Sequence, residues 1–172
     1  LNLEGDKFST SRNWAVWLHE YLEAYPEKTD ELRDVLTSIA PESKDAEFTW
    51  KDFQARVNSE LADVFGNFVN RTVVLTNKYY DGIVPAQGIR TDQDKAIIAQ
   101  VGNSVERIGD LIMKYKLREA QAEMMRIARI GNKYLADNEP WKLVKTDENR
   151  VEAIMSVALE ITRQLSIACM PF

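Results

Sequence analysis

One stretch constrains this chain more than any other. Between Trp50 and Tyr80, apolar side chains fall at Trp50, Phe53, Val57, Leu61, Val64, Phe65, Phe68, Leu75 and Tyr79. The gaps are mostly three and four, the period of an amphipathic α-helix. Thr49 stands where an N-cap belongs, and Asp81-Gly82 is a turn signal. At 1.5 Å per residue such a helix is about 45 Å long. A stripe of that length cannot be covered by one short neighbour. It predicts a spine with several helices packed on it.

The rest of the chain supplies those helices. Residues 14–25 read as a short helix, apolar on most sides and stopped by Pro26. A second starts at the cap signal Thr29/Asp30 and ends at Pro41. PESKDAE is a polar connector. After GIVPAQGIR, the pair Thr91-Asp92 opens a helix over 91–115. Lys116-Leu117-Arg118 is a short break, and 118–137 is helical again until Asp137-Asn138-Glu139-Pro140. Trp141 to Lys145 reads as a tight connector, and the last helix runs from about Asp147 to Cys169. Residues 1–12 read as loop, and no segment has the period of a strand. The expected fold is all-α, an antiparallel helical bundle of five or six helices around a long spine helix.

Composition narrows the function. A chain of 172 residues suits one domain or slightly more. No run of eighteen apolar residues appears, so no membrane span is expected. A single cysteine, Cys169, cannot form an internal disulfide, in keeping with a reducing, cytoplasmic setting. The net charge of −5 argues against a non-specific grip on duplex DNA. The charge is uneven, however. Residues 67–90 carry Arg71, Lys78 and Arg90 against Asp81 alone, so RNA remains open as a partner. Enzyme signatures are missing. The lone His19 and lone Cys169 leave no His/Cys metal site, and no Gly-x-Ser-x-Gly turn accompanies His19. His19 is expected to be packed or half-exposed on the first helix.

Three polar groups remain. The opening loop, Lys7-Phe8-Ser9-Thr10-Ser11 followed by Arg12, offers hydroxyls and cations suited to phosphate oxygens, or else it is a solvated tail. Asn67 and Arg71 lie one turn apart on the spine, with Lys78 on the same flank. At 100° per residue the flank is roughly 40–110° from the stripe centre at Phe68 and Leu75. Asn plus Arg is a base-reading combination, or an internal strut between helices. Trp141 follows Glu139-Pro140 and is either an open stacking platform for an unpaired base or a core anchor. Trp14, Trp17 and Trp50 sit on strongly apolar faces and are expected to be core.

In order and spacing, the KFSTSR loop, ELADVFGNFVNRTVVLTNKYYDG and NKYLADNEPWKLVK resemble methionyl-tRNA synthetases, a class I aminoacyl-tRNA synthetase family. The resemblance runs through nearly the whole chain. It implies a ligase that joins methionine to its tRNA using ATP, with magnesium expected. Lys7 to Ser11 would be the mobile signature loop, usually Lys-Met-Ser-Lys-Ser or Lys-Phe-Ser-Lys-Ser. Here Thr10 replaces its second lysine. The family's His-Ile-Gly-His motif, nucleotide fold and zinc insertion are absent and would lie upstream in the same chain, so this piece alone is not expected to be catalytic. Residues 1–40 would be the end of the catalytic domain with linker helices, and 41–172 the helical anticodon-binding domain. Asn67, Arg71 and Trp141 match the positions that hold the first base of a CAU anticodon. The competing expectation is a helical protein-interaction module. In that case Asn67 and Arg71 would be buried and mutually bonded, and Trp141 sealed in the core.

Overall fold

The computed structural model describes all 172 residues. Two hydrophobic cores organise them. The smaller is built from Leu3, Tyr21, Leu32, Val35 and Phe48, with Phe8, Val16, Phe53 and Val57 against it. It draws on both sides of residue 40. The larger holds Phe68 together with residues of three long helices, among them Val101, Ile108, Met124, Ile127, Tyr134, Leu135, Ile154, Ile161 and Leu165.

The first twelve residues are not simply loop. β1 (Asn2–Leu3) pairs antiparallel with β2 (Asp6–Lys7) and parallel with β3 (Glu47–Phe48). Two-residue strands carry no period-2 pattern, so sequence periodicity could not find them. The β1–β2 turn puts both Glu4 and Gly5 at positive φ, as a tight two-residue hairpin turn requires. The Glu4 carboxylate then accepts from the Trp50 N–H at 2.8 Å and ties the turn to the start of the helix at Trp50.

α1 (Leu18–Ala24) and α2 (Thr29–Ser38) cover this sheet; α1 starts four residues later than the sequence suggests. His19 is exposed. The three tryptophans expected in the core are not sealed: Trp14 and Trp50 each keep about 40% of their surface exposed, and Trp17 is half-buried. They are anchored at their rims instead. Trp14 Nε1 donates to the Leu3 carbonyl at 3.1 Å, and Trp50 lies against Tyr21, Phe48 and Phe53.

The spine exists, but not as one regular α-helix. α3 (Trp50–Arg56), capped by Thr49 accepting from Asp52 N–H at 3.0 Å, passes into a π-helical stretch (Val57–Gly66) and then α4 (Asn67–Tyr80). At the junction the Asn67 N–H reaches back five residues to the Ala62 carbonyl. Two features favour the wider helix. Asn132 Nδ2 inserts from a neighbouring helix and takes the Val64 carbonyl at 2.8 Å. Gly66 lets the Leu61 carbonyl come close, 3.1 Å from where a Cβ would stand. The buried face of α4 is Phe68, Thr72 and Thr76, rather than one centred on Leu75, which is half-buried. Both threonine hydroxyls are satisfied by the carbonyl four residues back, at 3.0 and 2.8 Å.

α5 (Asp92–Met113), α6 (Leu117–Asn138) and α8 (Glu148–Cys169) pack on one another as the bundle proper. The reading of Trp141–Lys145 as plain connector is refined to one helical turn, α7 (Pro140–Leu143). The two units meet where α2 lies on α6. Gln121 donates to the Asp34 carbonyl at 2.8 Å, and the Arg118 N–H to Glu42 at 2.9 Å. Arg129 pairs with Glu60 of the π-helical stretch. No helix is long and apolar enough to cross a membrane.

Candidate nucleic-acid interface

The niche is built from α4 and α7. Asn67 and Arg71 both lie within α4, so the π-helical stretch before them leaves their mutual phase intact: four residues of α-helix are about 40° apart and one turn up. Phe68, between them, points inward and is wholly buried. Its ring seats on Gly131 of α6. A Cβ at Gly131 would stand 2.4 Å from the ring, so only glycine admits this approach. The contact, with the Asn132–Val64 hydrogen bond beside it, fixes how close α4 lies to α6.

α6 in turn delivers the tryptophan. Asn138 ends the helix, Glu139 turns left-handed at φ 43°, and buried Pro140 starts α7 at the first position, where its missing N–H costs nothing. Trp141 is the next residue and projects outward, 39% exposed. Lys142 turns back to Glu139 at 2.8 Å.

These elements converge. The Arg71 guanidinium carbon lies 5.3 Å from the centroid of the Trp141 ring, a cation–π contact between groups on different helices. Arg71 is half-buried and Asn67 exposed, and neither side chain hydrogen-bonds to another protein group. The burial expected of internal struts is therefore not found. Lys78, on the same flank, is exposed with its Nζ 5.8 Å from the Tyr79 ring. Asn77 is a local strut, donating to the Val73 carbonyl at 3.0 Å.

The opening loop belongs to the other core. Ser9 and Trp14 exchange backbone hydrogen bonds at 2.9 Å, closing the loop over Thr10–Asn13. Phe8 packs inward, while Lys7, Thr10, Ser11 and Arg12 are exposed. Ser9 Oγ and Ser11 Oγ are 3.2 Å apart, and Arg12 Nη2 donates to the Lys7 carbonyl at 3.3 Å. The structure thus gathers Lys7–Ser11 at one core and Asn67, Arg71 and Trp141 at the other.

Sequence reasoning missed a buried node at the start of α5. Asp94, fully buried, caps α5 through a reciprocal box with Thr91. It also receives Tyr134 Oη at 2.7 Å and Arg150 Nη2 at 3.1 Å. Burial alone would raise its carboxyl pKa. The hydrogen bonds from Arg150, Tyr134 and Thr91 outweigh that and hold it well below the usual carboxylate range. Burial, followed by the hydrogen bond to Asp94 and then that carboxylate's charge, pushes the Tyr134 hydroxyl far above the usual tyrosine range. The signal was present in T-D-Q-D, whose first and last residues form the box.

Residues 1–73 match the family model of class I tRNA synthetases (M), and residues 84–172 match that of the anticodon binding domain of methionyl tRNA ligase. The chain is 62% identical over its full length to the methionine–tRNA ligase of Christiangramia forsetii and 59% identical to that of Bacteroides fragilis. It spans about a quarter of the length of each. The solved structure of Mycobacterium tuberculosis methionyl-tRNA synthetase in complex with methionyl-adenylate superposes with a TM-score of 0.88 at 26% identity, over 98% of this chain and 34% of that one. With the family models covering both units, the chain belongs to the methionyl-tRNA synthetase family of class I, and its helical bundle is the anticodon-binding domain of that family.

Proposed function

We propose that this chain reads the anticodon of a methionine tRNA within an ATP-dependent methionine–tRNA ligase, and that Asn67, Arg71 and Trp141 hold the first base of CAU. The observation that carries the reading is the approach of Arg71 to an open Trp141 ring, 5.3 Å from its centroid. A cytosine presents two acceptors and one amino donor on its pairing edge. Arg71 meets the acceptors, and the Asn67 amide, which both donates and accepts, meets either kind. A base in a single-stranded loop can be splayed out and laid on an indole, which an A-form groove does not permit. In the free chain Arg71 rests over the ring. On base entry it turns to the base edge, and a contact of about 0.5–1 kcal/mol is exchanged for charge-assisted hydrogen bonds of ~1.5–3 kcal/mol.

In the same reading residues 1–40 close the catalytic domain, and 41–172 form the anticodon-binding domain. Lys7, Phe8, Ser9, Thr10 and Ser11 are the signature loop. It supplies positive charge and hydroxyls to ATP phosphates as the adenylate forms. Thr10 offers a hydroxyl where the family's second lysine brings charge, which leaves Lys7 and Arg12, both exposed, as the cations of the loop. ATP, with its magnesium, is a substrate of the parent enzyme, and the family's zinc belongs to the part of the parent enzyme upstream of this chain. The parent enzyme works in the cytoplasm.

The test uses the full-length enzyme. Trp141→Ala is expected to raise KM for tRNA by roughly 5- to 150-fold, the loss of one base–aromatic stack of ~1–3 kcal/mol. Methionine-dependent ATP–pyrophosphate exchange stays unchanged. Normal charging by a folded Trp141→Ala enzyme would remove the base-stacking role. A tRNA altered at the first anticodon base should lose most of its advantage on wild type and little on the variant.

A further inference from the structure

We propose that Asp94, Tyr134 and Arg150 are positioning residues for Trp141: their buried node clamps the corner from which the indole projects. The inference rests on the reading of Trp141 as the base-stacking platform.

Trp141 sits in a helix of only four residues, too short to hold a direction of its own. Its orientation is inherited from the end of α6 and the start of α8. One node joins both to the start of α5. Arg150 Nη2 donates to Asp94 Oδ1 at 3.1 Å and to Asn138 Oδ1 at 2.7 Å. Asn138 is the last residue of α6, and its Nδ2 donates back to the Tyr134 carbonyl at 2.9 Å. Tyr134 Oη closes the loop on Asp94 at 2.7 Å. Two residues separate Asn138 from Trp141, and one of them is the left-handed Glu139. A shift of Asn138 therefore swings the indole directly.

The placement of Arg150 supports this role. It lies in the first turn of α8, where a cation opposes the helix dipole. Asp147 already caps that helix, accepting from the Arg150 N–H at 3.0 Å. The stability of α8 itself therefore gives no reason for an arginine there. Nor is bulk stability the main yield of a buried ion pair, since apolar replacements often do as well. What a planar fork uniquely provides is direction: two anchored donors fix one orientation of three helix ends.

The experiment compares full-length enzymes. Arg150→Lys keeps the charge and loses the fork. It is expected to raise KM for tRNA on the order of tenfold with kcat little changed, the loss of a charge-assisted contact expressed at the niche. Methionine-dependent ATP–pyrophosphate exchange should be unaffected. In a Trp141→Ala background the same substitution should have no further effect on KM, because both act through one side chain. With 5-fluorotryptophan incorporated, the Trp141 fluorine resonance, assigned by its loss in Trp141→Phe, should shift or broaden in Arg150→Lys. Should Arg150→Lys fail to fold, Tyr134→Phe, which deletes one donor at constant shape, carries the same comparison with a smaller rise. The proposal is overturned if the node variants raise KM equally with and without Trp141, or leave it unchanged where Trp141→Ala raises it. If Trp141→Ala itself charges tRNA normally, the stacking reading falls first and this inference with it.

Discussion

The opening loop and the Asn67/Arg71/Trp141 niche are assembled in opposite ways. The loop is local. Ser9 and Trp14 close it, Arg12 bonds to Lys7, and one inward ring, Phe8, attaches it to the small core. The niche is convergent. Its members come from α4 and α7, and their meeting depends on Phe68 seating on Gly131 and on the node at Asp94. A local site tolerates damage elsewhere in the fold. A convergent one transmits every disturbance of the bundle to its chemistry.

Four measurements put that contrast to the test. The largest effect is expected from Phe68→Ala, which empties a fully buried aromatic site between the two niche residues of α4. Urea unfolding should show a loss of about 3–5 kcal/mol, with weakened tRNA charging even where the enzyme is still folded. Gly131→Ala comes next. Helix propensity alone favours alanine by up to ~1 kcal/mol. The added Cβ would overlap the Phe68 ring, however, and overpacking of this kind costs about 1–3 kcal/mol. A net gain in stability would show that α4 and α6 can part without harm, and the convergent picture would fail.

Asp34→Asn probes the junction of the two units and is expected to be smaller. Burial raises the Asp34 carboxyl pKa, the Gln121 hydrogen bond offsets part of this, and the net shift is upward. An acid whose folded pKa is raised destabilises the fold above that pKa. The penalty fades as pH falls through the folded pKa toward the ordinary carboxylate value near ~4. Asp34→Asn should therefore raise stability at pH 7, and the gain should vanish in denaturant titrations at progressively lower pH. A gain that persists unchanged in acid would mean that burial of charge is not its cause. The smallest effect is expected of Thr10→Ala. This exposed loop change should leave stability within about 0.5 kcal/mol and KM for tRNA untouched, with any loss confined to ATP–pyrophosphate exchange. A rise in KM for tRNA would show that the loop is less local than it looks.

Much of this was legible beforehand, for reasons that particular residues make plain. The ends of α5, α6 and α8 follow from Thr91, the Asn138-Glu139-Pro140 break and Asp147, because caps and proline act on their own few residues. Asn67 and Arg71 could be placed on one flank because both lie within a single regular helix. The π-helical stretch could not be read. One feature that favours it is a side chain from another helix, Asn132, taking the Val64 carbonyl. Trp14 and Trp50 looked like core because apolar patterning reports which face is covered, not how completely. The two-residue strands were invisible because two residues carry no period, and because the β1–β3 pairing joins segments more than forty residues apart.

Local patterns along the chain were enough for the helices, their approximate ends, and the kinds of group available to meet a base or a phosphate. These are properties of short windows, set by backbone sterics, caps and periodicity. Packing in three dimensions is what brings an arginine on α4 and a tryptophan on α7 into one open niche. That outcome depends on interlocking at Gly131 and Asp94, where shape and hydrogen-bond direction act between residues that no local pattern connects.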